Sequence, residues 1–141
     1  MKNNKKIISG LTALALACGL ALPASASLNT GDSRAYRGTG YLAKYEVLSV
    51  KDGKSTVQVT LKNPTKKKIN NWAVRFANYA DIEGVKNGKL FSPDYWMFRI
   101  IKDDGTNGSV APNECVSFSF TMTDEFGYNE LPERLKVYSD S

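Results

Sequence analysis

Two stretches set the terms on which this chain can fold. In residues 55–62, Val57, Val59 and Leu61 alternate with Gln58, Thr60 and Lys62; in 116–122, Val116, Phe118, Phe120 and Met122 alternate with Ser117, Ser119 and Thr121. Successive side chains of an extended backbone point to opposite faces, so this pattern gives one apolar and one polar face and predicts half-buried strands. Trp72, Val74 and Phe76 share a parity opposite to Ala73, Arg75 and Ala77, and predict a third. Residues 41–50, 95–102 and 134–138 supply further candidates, and Asp52-Gly53 is a hairpin-turn signal between 41–50 and 55–62. No helical period appears among them. Short alternating strands separated by Gly, Asn, Asp and Pro must bury their apolar faces against one another. That predicts an all-β fold, an antiparallel Ig-like β-sandwich, with a jelly-roll-like arrangement as the alternative.

The sandwich is expected to begin well inside the chain. Lys2, Lys5 and Lys6 precede a charge-free run over 7–22, and Pro23-Ala24-Ser25-Ala26 follows it. A basic start, an apolar run and small residues in Ala-x-Ala order describe a secretory signal cut after Ala26. Ser9, Gly10, Thr12 and Gly19 interrupt a run that is already short for a membrane span. Cys18 raises lipidation as an alternative, but Ala15-Leu16-Ala17 is a poor lipobox and the apolar run continues past the cysteine. Residues 27–40, rich in Ser, Gly, Arg and Asn without an apolar period, read as a flexible leader, and 41–141 as the sandwich.

Charge and composition then narrow the chemistry. The chain carries 19 basic and 14 acidic residues, and without the three lysines of the signal the balance is 16 to 14, or +2. Nucleic-acid binding wants a concentrated basic stripe, and Lys66-Lys67-Lys68, the one basic run of the sandwich, reads as a solvated turn. Histidine is absent, which removes the usual general base, the Ser–His and Cys–His pairs and most zinc sites. Cys115, the one cysteine beyond the signal, cannot form an internal disulfide and reads as an inert strand side chain. No cofactor or metal is expected. Asp103-Asp104-Gly105 and Asp124-Glu125 before Phe126-Gly127 read as turns, and Asp103, Asp104 and Asn107 lack the spacing of an EF-hand loop. Asp81 and Glu83 would share a face of an extended segment. A glycosidase, however, needs two carboxylates across a cleft, about 5 Å or about 6.5–9.5 Å apart, and a small sandwich without long insertions offers little cleft.

Read in order, several motifs resemble those of family 2 carbohydrate-binding modules, the cellulose- and xylan-binding domains of bacterial glycanases. Tyr45-x-Val47, Ser49, Asp52-Gly53 and Val59-Thr60-Leu61-Lys62-Asn63 follow that family's opening strands. Asn63-Pro64-Thr65 leading to Ile69-Asn70-Asn71-Trp72 is similar to its Asn-Thr-Gly and Ile-Asn-Gly-Trp signature. Asn107-Gly108-Ser109-Val110-Ala111-Pro112 is similar to its Asn-Gly turn, and Val116-Ser117-Phe118-Ser119-Phe120 to its Ser-Phe-Gly-Phe strand. The resemblance covers most of 41–122. It implies a sandwich that holds polysaccharide on a row of exposed aromatic faces, against which the C–H groups of sugar rings pack. The chain departs from that family at the row itself. Two platform tryptophans fall at Lys51 and Thr106, the third falls in 85–94 where Phe91 is the nearest aromatic, and Tyr41 stands where the first cysteine of a terminal disulfide would be.

Other aromatics must then form the binding face. Trp72 shares parity with Val74 and Phe76 and is expected in the core. In 95–102, Trp96, Phe98 and Ile100 fall on one face and Tyr95, Met97 and Ile101 on the other, so the strand is either covered on both sides or displays aromatics. Trp96, Tyr95, Phe91 and Tyr79 are the candidate carbohydrate-binding residues, with Tyr128 a further loop tyrosine. The expected function is non-catalytic attachment of a secreted, extracellular domain to cellulose or a related β-glycan. Surface or glycanase-complex proteins are a second class of partner, and neither nucleic acid nor, after signal cleavage, a membrane is expected. An Ig-like protein-binding or adhesin module is the alternative, and a glycoside hydrolase comes last.

Overall fold

The structure, a computed structural model, describes residues 28–95, 97–123 and 130–140. The signal segment, Trp96 and Tyr128 lie outside them. The described residues form nine strands: β1 (Ser33–Gly38), β2 (Tyr41–Lys51), β3 (Lys54–Lys62), β4 (Asn70–Ala77), β5 (Asp81–Lys86), β6 (Lys89–Tyr95), β7 (Phe98–Lys102), β8 (Cys115–Thr123) and β9 (Leu135–Asp140). They pair, always antiparallel, into a five-stranded sheet of order β1-β2-β3-β8-β5 and a four-stranded sheet of order β9-β4-β7-β6. The antiparallel β-sandwich read from the alternation is therefore the fold.

The alternating residues meet between the sheets. Tyr45, Val47, Val57, Val59, Leu61, Phe118, Phe120 and Met122 of the larger sheet face Trp72, Val74, Phe76, Ile101 and Leu135 of the smaller, and all are buried. Stacked rings join the layers: Trp72 on Phe118 at 5.4 Å and 12°, and Phe76 on Phe120 at 5.5 Å and 16°. Tyr45 meets Phe76 edge-on at 5.9 Å. Such pairs add about 1 kcal/mol each beyond their buried area. Trp72 is fully buried, and its indole N–H donates to Asn107 O at 2.8 Å, so its one polar atom is satisfied inside the core.

The turn motifs serve the scaffold. Asp52 and Gly53 both have positive φ (52° and 76°) and link Lys51 to its partner Lys54, the two-residue hairpin geometry that matches strand twist. The side chain of Asn63, fully buried after β3, donates to Lys67 O (2.6 Å) and Val110 O (2.9 Å) and accepts from the Thr65 N–H (2.9 Å) and hydroxyl (2.7 Å). It thereby fastens the turn before β4 to the 107–114 loop, as does the Ile69–Val110 bridge. Tyr41 is buried, and its hydroxyl donates to Leu135 O at 3.2 Å, tying β2 to β9.

Three readings need correction. Residues 33–38, taken as part of a flexible leader, form β1, and the sandwich starts by Leu28, which is only 7% exposed. An edge strand paired on one side and mostly exposed has no apolar face to advertise in its sequence. Residues 95–102 are not one strand: Tyr95 ends β6, pairs with Phe98, and the chain reverses between them into β7. Strands β5 and β6 had no signal, because Gly84 (φ 61°) lies in the β5 bulge and Pro93 interrupts β6. Both features are tolerated on sheet edges, where these strands lie.

Candidate functional site

The two outward faces differ in chemistry. On the five-stranded sheet, small polar side chains stand opposite one another, Thr60 with Ser117, Gln58 with Ser119 and Thr56 with Thr121. Two lysines there meet carboxylates, Lys54 Nζ with Glu83 Oε1 at 3.0 Å and Lys44 Nζ with Glu46 Oε1 at 3.8 Å, while Lys62 and Lys86 on the same face make no ion pair among the described residues. Asp81 and Glu83 do share this face, two residues apart along β5, and Glu83 is already engaged by Lys54.

The four-stranded sheet presents rings and cations instead. Inward burial of Trp72, Val74 and Phe76 sends Ala73 and Arg75 outward, and the register carries that face across the sheet. One row reads Tyr138, Ala73, Lys102, Lys89, and the next Lys136, Arg75, Ile100, Phe91. Phe91 is 51% exposed and Tyr138 49% exposed. With strands ~4.8 Å apart and ~3.4 Å of rise per residue, the two rings stand on the order of 15 Å apart, across the sheet and one step along it. The small methyl of Ala73 lies in the row between Tyr138 and Lys102, and these residues, with Lys89, Leu90, Asn71 and Asp140, line an open groove. The Lys102 ammonium lies 5.1 Å from the Phe91 ring centre, and the Arg75 guanidinium 4.1 Å from that of Phe98. Phe98 is thus turned outward but capped by Arg75.

The rim of the groove is held by polar bonds. Asn71 adopts a left-handed backbone (φ 52°) at the position where the resembled signature has Gly; its N–H donates to Gly108 O at 2.8 Å and its side-chain amide to Asp140 Oδ2 at 2.7 Å. Asn accepts this conformation more readily than most residues. In the neighbouring loop Asp104 Oδ1 accepts from the Thr106 N–H (2.8 Å), the Thr106 hydroxyl (2.6 Å) and the Asn107 N–H (3.2 Å). These bonds, led by that of the Thr106 hydroxyl, hold its carboxyl below the usual range, with Lys89 adding a smaller pull in the same direction. Asp103 Oδ2 accepts from the Gly105 N–H at 3.1 Å, so this segment is the turn its composition predicts.

Of the aromatics singled out in the sequence, Phe91 and Tyr79 can be placed by their exposure and stand apart. Phe91 lies in the groove. Tyr79 is 56% exposed but sits in the loop past the end of β4, beyond the Ala77–Phe98 pair and outside the groove lining. Tyr95 ends β6 opposite Phe98. Trp96 and Tyr128 lie outside the described residues. Tyr138 was missed. Its parity was legible, since Leu135 and Val137 alternate with Lys136 and Tyr138, but nothing in the sequence showed that β9 lies beside β4.

No protein-family model and no curated protein matches the chain. Solved structures do share its fold. A GH20 exo-β-N-acetylglucosaminidase from Vibrio harveyi matches with a TM-score of 0.60 at 20% identity over 72% of this chain, which corresponds to only 16% of the enzyme's length. The chitin-binding domain of Chi18aC from Streptomyces coelicolor matches with a TM-score of 0.56 at 20% identity, over 74% of this chain and 95% of the domain. The cellulose-binding family 2 domain of ScLPMO10C gives 0.52 at 24% identity, over 79% and 100%. At these identities the likeness is one of β-sandwich fold. It extends to chitin-binding domains as well as to a family 2 module, and so is broader than the motif resemblance alone.

Proposed function

We propose that this chain is a secreted, non-catalytic polysaccharide-binding domain, and that the outward face of the four-stranded sheet takes a β-linked glycan of the cellulose or chitin kind. The observation that carries the reading is the pair of half-exposed rings, Phe91 and Tyr138, at opposite edges of one open sheet groove. Rings offer sugar C–H faces a polarisable, poorly hydrated surface, while amide and lysine side chains between them can bond hydroxyls. The span between the rings suits a short run of sugars. The fold shared with chitin- and cellulose-binding domains supports the same reading. Sheet-borne side chains also keep fixed spacing without the ordering cost of a loop.

The test is retention on insoluble cellulose, chitin and xylan. Wild type should be retained on at least one polymer, and Phe91→Ala and Tyr138→Ala should each lose most retention with unchanged circular dichroism. Both rings are outside the core, so folding should survive. Trp96→Ala, run alongside, asks whether that ring contributes. Wild type passing through all three polymers, or both ring variants retained as well as wild type, would defeat the proposal.

A further inference from the structure

We infer that the glycan this face takes is acidic, an inference that rests on the polysaccharide-binding reading and names its substrate class. Lys89 and Lys102 are direct cross-strand partners on the groove face, and Lys136 lies on the adjoining row beside Arg75. Like charges placed directly opposite on one sheet face oppose folding, so this pair is not explained by stability. On the other sheet face Lys54 and Lys44 each meet a glutamate, whereas neither lysine of this cross-strand pair does. Among the described residues no carboxylate comes within ion-pair distance of Lys89, Lys102 or Lys136. The acids near the groove accept from internal donors, Asp140 from Asn71, Asp103 from the Gly105 N–H and Asp104 from Thr106 and Asn107, and Lys89 adds only the smallest of the pulls on Asp104. Lys102 also extends over the Phe91 ring, which places a cation beside the surface that would carry a sugar.

A neutral glycan needs rings and hydroxyl-bonding groups but no paired cations. A carboxylated glycan needs both, because the lysines bind its carboxylates while the rings take its sugar faces. The inference therefore distinguishes two polymers with the same backbone. Carboxymethyl cellulose and hydroxyethyl cellulose differ in charge while sharing the β-linked chain, and both can be cast into native gels.

In affinity electrophoresis wild type should be retarded more by carboxymethyl than by hydroxyethyl cellulose. The difference should disappear as salt rises towards ~1 M, where screening acts over about 3 Å. The double variant Lys89→Gln/Lys102→Gln should weaken carboxymethyl cellulose binding about tenfold, the size of one charge-assisted contact, and hydroxyethyl cellulose binding far less, since glutamine still bonds hydroxyls. The triple variant Lys66→Gln/Lys67→Gln/Lys68→Gln, which removes more charge from the turn before β4, should leave both unchanged. Equal retardation in the two gels, or an effect of the triple variant as large as that of the double, would overturn the acidic-glycan inference while the polysaccharide reading stands. Retardation by neither polymer, combined with no retention on cellulose, chitin or xylan, would overturn both.

Discussion

At the scale of single residues, the positions that identify the scaffold are those whose polar atoms are fully used inside it. Asn63 makes four side-chain hydrogen bonds from a fully buried site. Asn63→Ala would leave two carbonyls and two donors of the turn without that partner and should destabilise the domain by about 3 kcal/mol. Asn63→Asp should do at least as much damage despite its shape, because an oxygen would then face Lys67 O and Val110 O. Urea unfolding midpoints check both; a loss within about 0.5 kcal/mol, ordinary for a surface change, would refute the role. Trp72 and Asn63 were legible from sequence as parity and turn chemistry. Tyr138 and the Lys89–Lys102 pair were not, because they become a site only when β9 and β6 take their places at the two edges of one sheet.

Among elements, legibility followed position in the sheet. Strands β3, β4 and β8 are central and bury a full inner face, so their sequences alternate cleanly. The unread strands β1, β5 and β6 are edges, where charge, Gly and Pro blunt the exposed backbone and erase the pattern. β9 is also an edge but packs Leu135 inward, and it was found. The structural role of β1 leads to a direct test. The Tyr36 hydroxyl and Arg34 Nη1 both donate to Pro132 O, sealing this edge towards β9. A chain starting at Gly40, harmless if 27–40 were a flexible leader, loses this seal, the pairing of β1 with β2, and the burial of Leu28. Leu28 alone is worth about 2 kcal/mol. Thermal unfolding should show a clearly lowered transition or an aggregating product, and an unchanged melting temperature would return 27–40 to the status of a leader.

For the whole molecule, the titration of its phenols sets an alkaline limit. Burial is the main reason that the Tyr36 hydroxyl is pushed up to about 12 from 10.0, and Tyr45, fully buried with its hydroxyl against Met122 Sδ, is raised further. A raised folded-state pKa contributes stability that is complete below the unfolded value of 10.0 and is lost as pH climbs through about 12. Denaturation midpoints should therefore fall with pH above about 10, and Tyr36→Phe should soften that fall; a flat profile to pH 12 would refute it. The central pairing of β3 with β8 has a consequence of another kind. Val59 meets Phe118 and Lys54 meets Thr123, so the middle of the larger sheet closes only when segments far apart in sequence find each other. Folds dominated by such non-local pairings cross their barrier slowly, in milliseconds to seconds. On a growing chain the local β1–β2–β3 meander comes first, and the second layer begins only with β4. The groove is complete only with β9, the last strand, because Tyr138 stands on it and Phe91 on the opposite edge of the same sheet.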